Sequence, residues 1–236
     1  MDAQFNSKEI LREFGVEFSS SGLISQFGGL KPFIGLLKRW RFLERLSQLF
    51  GKHKARSMMQ LVIGLICGAR DMEDVERVGR DSIVRRYLKI SVVATQLSRD
   101  FKSFTRVEIE KLHEFNMGLA ILELVQKVDH DEKLILDVDA TAVTKYGQQE
   151  GVEAGYIEEN KIEDCYQYLF FRLHNLNTFL YGTIRGGSAH SQNDFCGYLK
   201  RFLPMFKKRW QISLRADAGY FSEGAFDLCS DNDAHL

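Results

Sequence analysis

Leu134-Ile135-Leu136-Asp137-Val138-Asp139-Ala140-Thr141-Ala142-Val143 is a short apolar stretch fenced by charge, with Asp129, Asp131, Glu132 and Lys133 before it and Lys145 after it. Such a run reads as a buried strand of a mixed sheet. Strand alternation places Ile135, Asp137 and Asp139 on one side and Leu134, Leu136 and Val138 on the other. A carboxylate in a core strand is costly unless a cation meets it. Two readings follow: a metal-binding acid at a strand end, or an acid that lies at the sheet's solvent edge or pairs with a basic side chain.

The segments downstream decide between folds. Lys145 to Gln167 reads as a polar loop with Gly147, Gly151 and Gly155. Tyr168–Leu173 and Thr178–Ile184 read as strands joined by a turn at Asn175-Leu176-Asn177. Asn193 to Phe206 reads as an amphipathic helix with Phe195, Leu199, Phe202 and Leu203 inward and Ser191 or Asn193 as its cap. Trp210 to Ala216 reads as a fourth strand, with Asp217 at its end and a helix from Ser222 to about Cys229. Strand, strand, strand, helix, strand, helix is the opening order of a ribonuclease-H-like fold, in which the fourth strand lies parallel beside the first. Acids near the ends of those two strands then share one cleft: Asp139, or its same-side neighbour Asp137, and Asp217. Paired carboxylates suit Mg²⁺ or Mn²⁺, and such ions serve phosphodiester displacement. The bland alternative is that Asp217 only begins the turn Asp217-Ala218-Gly219-Tyr220.

Upstream, the chain reads as helical. Leu23 to Phe50 carries Phe33, Leu36, Leu37, Trp40, Leu43, Leu46 and Phe50 at helical spacing, and Gly51 stops it. Ser57 is positioned to cap the next helix, which ends near Gly68. Asp71–Val78 and Arg80–Tyr87 read as short helices. Ser91 to Phe104 has the size of a helix-turn-helix reader, with Gln96, Ser98 and Arg99 near its tip. Val107 to Val128 is a long helix with the stripe Leu112, Phe115, Leu119, Leu122 and Val125. The expected fold class is therefore α+β or α/β: a helical domain, residues 1–130, followed by an incomplete ribonuclease-H-like mixed sheet with flanking helices, residues 131–236, carrying an insertion loop at about 144–167.

Net charge is formally zero, which excludes a uniformly basic nucleic-acid binder, but the charge is uneven. Residues 1–130 hold 21 Lys and Arg against 16 Asp and Glu, and residues 131–236 hold 11 against 16. Lys31, Lys38, Arg39, Arg41, Arg45, Lys52, Lys54 and Arg56 face only Glu44 in their segment, a block able to meet phosphate or simply to be a solvated helix face. Lys200, Arg201, Lys207, Lys208 and Arg209 allow the same two readings, and His190 reads as a phosphate contact or a loop hydrogen-bonder. None of Cys67, Cys165, Cys196 and Cys229 forms a Cys-x-x-Cys pair, and no Cys–His spacing suggests zinc. The polar N-terminus lacks a signal-peptide pattern, and the apolar run Met58 to Ala69 is too short to span a bilayer. These features point to a soluble, cytoplasmic protein with no membrane partner.

Several ordered motifs resemble a known family. Asp137-Val138-Asp139-Ala140-Thr141, Tyr146 to Gly151, Gly155-Tyr156, Arg185-Gly186-Gly187-Ser188-Ala189-His190-Ser191 and Leu214-Arg215-Ala216-Asp217-Ala218-Gly219-Tyr220-Phe221 are similar to the catalytic half of DDE-type bacterial transposases, the insertion sequence 1380 type above all. Gly68-Ala69-Arg70-Asp71, Asp74, Arg80-Asp81 and Gln96-Leu97-Ser98-Arg99 resemble that family's first domain. The resemblance implies that Asp139 and Asp217 are the first two acids of a metal-binding triad, with Asp137 a neighbouring substitute. It implies Mg²⁺ or Mn²⁺ as cofactor, and as partner double-stranded DNA, both the element's terminal inverted repeats and the target; it also allows a homo-oligomer. Ala140 and Gly187 depart from the pattern, Gly187 standing where Asn is more typical.

The third acid of the resemblance, a glutamate on a helix after a fifth strand, has no counterpart, and Glu223 and Asp227 fall on the wrong helix to replace it. The expectation is thus a C-terminally truncated transposase, inactive by itself, whose fourth strand presents an apolar edge. The alternatives are a non-catalytic DNA-binding remnant that regulates transposition, and a stand-alone metal nuclease.

Overall fold

The computed structural model describes residues 25–89, 91–147, 149–158, 161–190 and 194–235. The candidate caps Ser191 and Asn193 lie outside them. The chain divides into two compact units, residues 1–111 and 112–236.

The first unit is helical. α1 spans Leu30–Arg39, α2 Phe42–Ile66, α3 Met72–Gly79, α4 Ser82–Leu88 and α5 Ala94–Lys102, and α6 begins at Arg106. The spacing through Trp40 suggested one continuous helix. Instead the chain turns at Trp40 and Arg41, and Arg41 takes the left-handed conformation (φ 53°). Gly51 does break helical geometry, at φ 77° and ψ 157°, as its lack of a side chain permits. Ser57 is not a cap. It is buried inside α2, where its hydroxyl donates to the buried Asp100 carboxylate at 2.5 Å. His53 Nδ1 and Gln96 Nε2 approach the same carboxylate at 3.0 and 2.7 Å. A second departure is that Gln96, Ser98 and Arg99 share the single helix α5 rather than straddling a turn. Asp71 and Asp81 cap α3 and α4, accepting from Asp74 N and Ile83 N.

α6 continues to Lys127 and opens on a capping box. Thr105 N donates to Glu108 Oε2 at 2.9 Å, and Glu108 N donates to Thr105 Oγ1 at 3.3 Å. Lys54 Nζ donates to both Glu108 oxygens at 2.7 and 2.8 Å. The Lys54 hydrogen bond, then the Thr105 backbone bond, hold the Glu108 carboxyl well below its ordinary 4.5, at about 2. Because the folded value is depressed, this stabilisation is present above pH 4.5 and is lost as pH falls through about 2. A carboxyl-carbon NMR titration is expected to find Glu108 still ionised near pH 3, and Lys54→Met is expected to move its midpoint upward.

The second unit is a mixed sheet with helices. Its strands are β1 Lys133–Thr144, β2 Glu153–Glu158, β3 Lys161–Leu173, β4 Thr178–Gly186, β5 Gln211–Ala216 and β6 Ala234–His235. α7 spans Phe195–Phe206 and α8 Glu223–Asp231. β1 pairs antiparallel with β3 and parallel with β5, β5 pairs parallel with β6, and β2 and β4 pair with successive halves of β3. This helical region followed by a mixed sheet with flanking helices is the expected fold class. The first and fourth strands of the expected order, β1 and β5, are indeed parallel neighbours. β6 covers β5 at Ile212 and Ser213, so that part of the edge is paired.

Burial in β1 alternates: Leu134, Leu136 and Val138 join the core, while Ile135, Asp137 and Asp139 do not. Phe171 on β3, Phe195 and Phe202 on α7 and Leu214 on β5 fill that core. Asn175, in the turn between β3 and β4, pins the start of β1: its Oδ1 accepts from Ile135 N at 3.0 Å, and its Nδ2 donates to the Lys133 carbonyl at 3.1 Å.

Two expectations fail here. The polar loop predicted over 145–167 contains β2 and the first half of β3, a hairpin. Its alternation was hidden because its buried positions, Gly155 and Cys165, are small, while the large apolar Tyr156 and Ile162 face outward among charged residues. The buried residues of α6 in this unit are Met117, Ala120 and Leu124, while Leu122 is 55% and Val125 39% exposed. The stripe read from large side chains was therefore rotated from the face that packs. Among the described residues no helix is long and apolar enough to cross a membrane.

Candidate functional site

The register decides where the acids fall. On parallel β1 and β5, Leu134 pairs Ile212, Leu136 pairs Leu214 and Val138 pairs Ala216. One step further along both strands are Asp139 and Asp217. Paired strands lie about 4.8 Å apart, and alternation sends neighbouring positions of the two strands to the same side. Asp139 and Asp217 are both exposed, and Asp217 still has extended backbone (φ −66°, ψ 153°) before the single helical turn Ala218–Tyr220.

Tyr220 closes the floor of this place. Its backbone N–H donates to the Asp217 carbonyl at 2.9 Å, and its ring packs edge-on against Phe195 at 5.1 Å. The residue is 2% exposed, and its buried hydroxyl has no hydrogen-bond partner of standard geometry. Burial pushes the phenol up. The neighbouring Arg185 guanidinium opposes that, while the charges of Asp139 and Asp217 add to it. One hydroxyl therefore feels both acids and one cation.

Arg185 comes from the end of β4 and is held from two sides. Its Nη2 donates to Gln167 Oε1 at 3.1 Å and its Nη1 to the His190 carbonyl at 3.4 Å. Gln167 in turn donates to the Gly187 carbonyl at 3.2 Å. Arg185 and Tyr220 are the residues that sequence reasoning missed. Both stood inside quoted motifs, but nothing in a linear pattern says that a residue of β4 lies beside the end of β5.

Asp137 is occupied differently. It faces Arg172 on β3 and Arg215 on β5 in register. Arg215 Nε donates to its Oδ1 at 2.7 Å, His174 Nδ1 lies 3.2 Å from Oδ2, and Arg172 Nη1 lies 4.0 Å away. Arg215 Nη2 also donates to His174 Nδ1 at 2.8 Å; arginine has no acceptor, so that ring nitrogen accepts. Burial would raise the Asp137 carboxyl, but the bonds and charges of Arg215 and His174 together outweigh it and hold it low.

The other candidates are scattered. His190 is exposed, with its carbonyl on Arg185. Arg201 lies over the Tyr181 ring at 5.5 Å and Arg209 over Trp210 at 5.1 Å, while Lys207 donates to the Asp231 carbonyl at 3.3 Å. Among the described residues no group of three or more His, Cys, Asp or Glu is arranged to hold a metal ion.

A family profile described as "Transposase DDE domain group 1" matches residues 23–235. The chain belongs to that transposase family. The match takes in both acids and both units. No curated protein matches the chain. Among solved structures, the pre-cleavage Mos1 transpososome aligns at 7% identity and a TM-score of 0.27, over 76% of this chain and 57% of that one. The Mos1 transposase paired-end complex with left transposon end aligns at 8% identity and a TM-score of 0.29, with the same coverages. The group 1 chain thus spans 57% of the length of those Mos1 chains.

Proposed function

We propose that this member of the DDE group 1 family is an insertion-sequence transposase of the 1380 type, acting on double-stranded DNA at the element's terminal inverted repeats. The observation that supports this reading is that Asp139 and Asp217 follow the last paired residues of the parallel neighbours β1 and β5, beside the buried Tyr220 and Arg185. A divalent ion fits the residues present: the donors are all oxygen, and Mg²⁺ is commonly held by one or two carboxylates with water completing its shell. Asp139 and Asp217 would hold the ion. When bound, it supplies Lewis-acid polarisation of a phosphodiester and cancels charge that would otherwise repel the substrate.

The chain's own groups do the rest. Arg185, braced by Gln167 and the His190 carbonyl, presents donors to a phosphate oxygen. The Tyr220 hydroxyl lies beside that guanidinium. Asp137, committed to Arg215, holds the strand ends in register and is left out of the ligand set.

The second reading, a DNA-binding protein that does not cut, is favoured by one observation: among the described residues no third acid joins a group able to hold a metal ion. Two carboxylates hold an ion weakly, so little strand cleavage is expected from this chain by itself. The test uses the purified chain and labelled duplexes carrying the terminal repeat or a scrambled sequence, with Mg²⁺, at two salt concentrations. Preference for the repeat is expected to survive the higher salt, since counterion release weakens only the sequence-independent part. Equal loss on both duplexes counts against the transposase reading. Efficient nicking that disappears in Asp139→Ala would instead show that two acids suffice.

A further inference from the structure

The helical unit encloses a second place suited to anions. A cavity of about 390 Å³ lies between the corner of α1 and α2 and the end of α4. Lys38, Arg41, Lys52, Arg56 and Lys89 line it, and Glu44 is its lone acid among the described residues. Glu44 is bound to Arg41, whose Nε donates to it at 2.6 Å. The cavity therefore carries a clear excess of positive charge. Part of this is sequence placement: Lys52 and Arg56 are four apart, on one helix face, immediately beyond the break at Gly51.

Two backbone features bear on the same spot. Among the described residues only five that are not glycine have positive φ, and two of them, Arg41 (φ 53°) and Lys89 (φ 66°), line this cavity. Side chains rarely adopt that conformation, and it concentrates where a site over-determines the backbone. Tyr87 is the third feature. It lines the cavity, is 8% exposed, and its buried hydroxyl has no hydrogen-bond partner of standard geometry, although the Leu43 backbone lies close by. Lys38 Nζ stands 6.0 Å from the centre of the same ring. Like-charged side chains gathered around one cavity are unfavourable unless an anion with several acceptor oxygens joins them.

We propose that this cavity is a phosphate-binding site. Guanidinium and ammonium groups supply charge and donors, and the Tyr87 hydroxyl supplies a neutral donor. The phosphate is either one of a DNA backbone or that of a free phosphate-bearing ligand. The first source would deepen the DNA-binding reading above, since it adds a sequence-independent contact.

The experiment uses the full chain, Lys52→Ala/Arg56→Ala and the conservative Tyr87→Phe, with folding checked by circular dichroism. One arm measures inorganic phosphate binding by calorimetry; the other measures anisotropy of a labelled duplex of arbitrary sequence between about 50 and 200 mM salt. Wild type is expected to bind phosphate, and both variants to lose at least about tenfold in that affinity. If the occupant is a DNA phosphate, the double variant also weakens duplex binding on all sequences alike, and its salt slope falls by roughly one per lost contact. Loss of phosphate binding with an unchanged slope assigns the site to a free ligand. Wild-type behaviour of both variants in both arms overturns the proposal while leaving DNA binding through other residues standing, and a wild type that binds neither probe overturns both.

Discussion

Asp139→Asn is expected to remove Mn²⁺ binding from this protein, and Asp217→Asn to do the same. The amide keeps the shape of the carboxylate and discards its charge. With these two acids proposed to hold the ion, removing one leaves a single carboxylate of the pair for an ion that also prefers water. Losing an outer partner of a metal ligand already costs about 10- to 100-fold in affinity. Loss of the ligand itself is expected to reach at least the upper end of that range. Calorimetry or the electron paramagnetic resonance of unbound Mn²⁺ reads this without any need for DNA or turnover. Asp137→Asn is the built-in comparison. Its carboxylate is engaged by Arg215 beside His174, so Mn²⁺ affinity is expected to stay within a few-fold of wild type. If Asp137→Asn instead abolishes binding and Asp217→Asn does not, the ion sits elsewhere on β1 and the proposed pair is wrong.

The comparison among those three acids shows what a linear pattern can carry. Alternation along β1 put Asp137 and Asp139 on the same side, and nothing in the sequence ranked one above the other. The ranking comes from cross-strand neighbours, Arg172 and Arg215, which face Asp137 in register. Strand order was legible because apolar runs, turn residues and the amphipathic helix α7 all punctuate the chain locally. The hairpin β2–β3 was not, because glycines and charges in that stretch look like loop residues until another strand lies beside them. The same holds for Ser57 and Gln96. Each has a local role open to it, as cap or as turn-tip residue, and each is used instead in a long-range network around the buried Asp100. The turn at Arg41 is a further case: no glycine or proline announces it.

Gly187→Asn is expected to destabilise the sheet unit strongly, although the family resemblance makes Asn the more usual residue there. A Cβ at 187 would stand 2.3 Å from the Glu153 carbonyl oxygen, 2.6 Å from Cys165 Sγ and 2.9 Å from the Cys165 carbonyl oxygen. Two of those are backbone atoms of paired strands, which no rotamer change can move. The reverse contact is as close: a Cβ at Gly155 would lie 2.2 Å from the Gly187 carbonyl oxygen. The two glycines therefore let the β2–β3 hairpin lie directly on the end of β4. A side chain at 187 forces those strands apart, and overpacking of this kind costs roughly 3 kcal/mol. For a unit of this size the melting temperature is expected to fall by on the order of 10 °C, read by circular dichroism. The consequence reaches the site. The Gly187 carbonyl accepts from Gln167, whose own oxygen holds Arg185. Displacing the hairpin thus loosens the cation beside Tyr220 as well as the sheet. Gly187→Ala, which adds only the Cβ, is expected to show most of the thermal loss, because the clash begins at that atom. A melting curve for Gly187→Ala that overlays wild type would mean the hairpin is not seated on β4 as described, and the bracing of Arg185 would lose its basis with it.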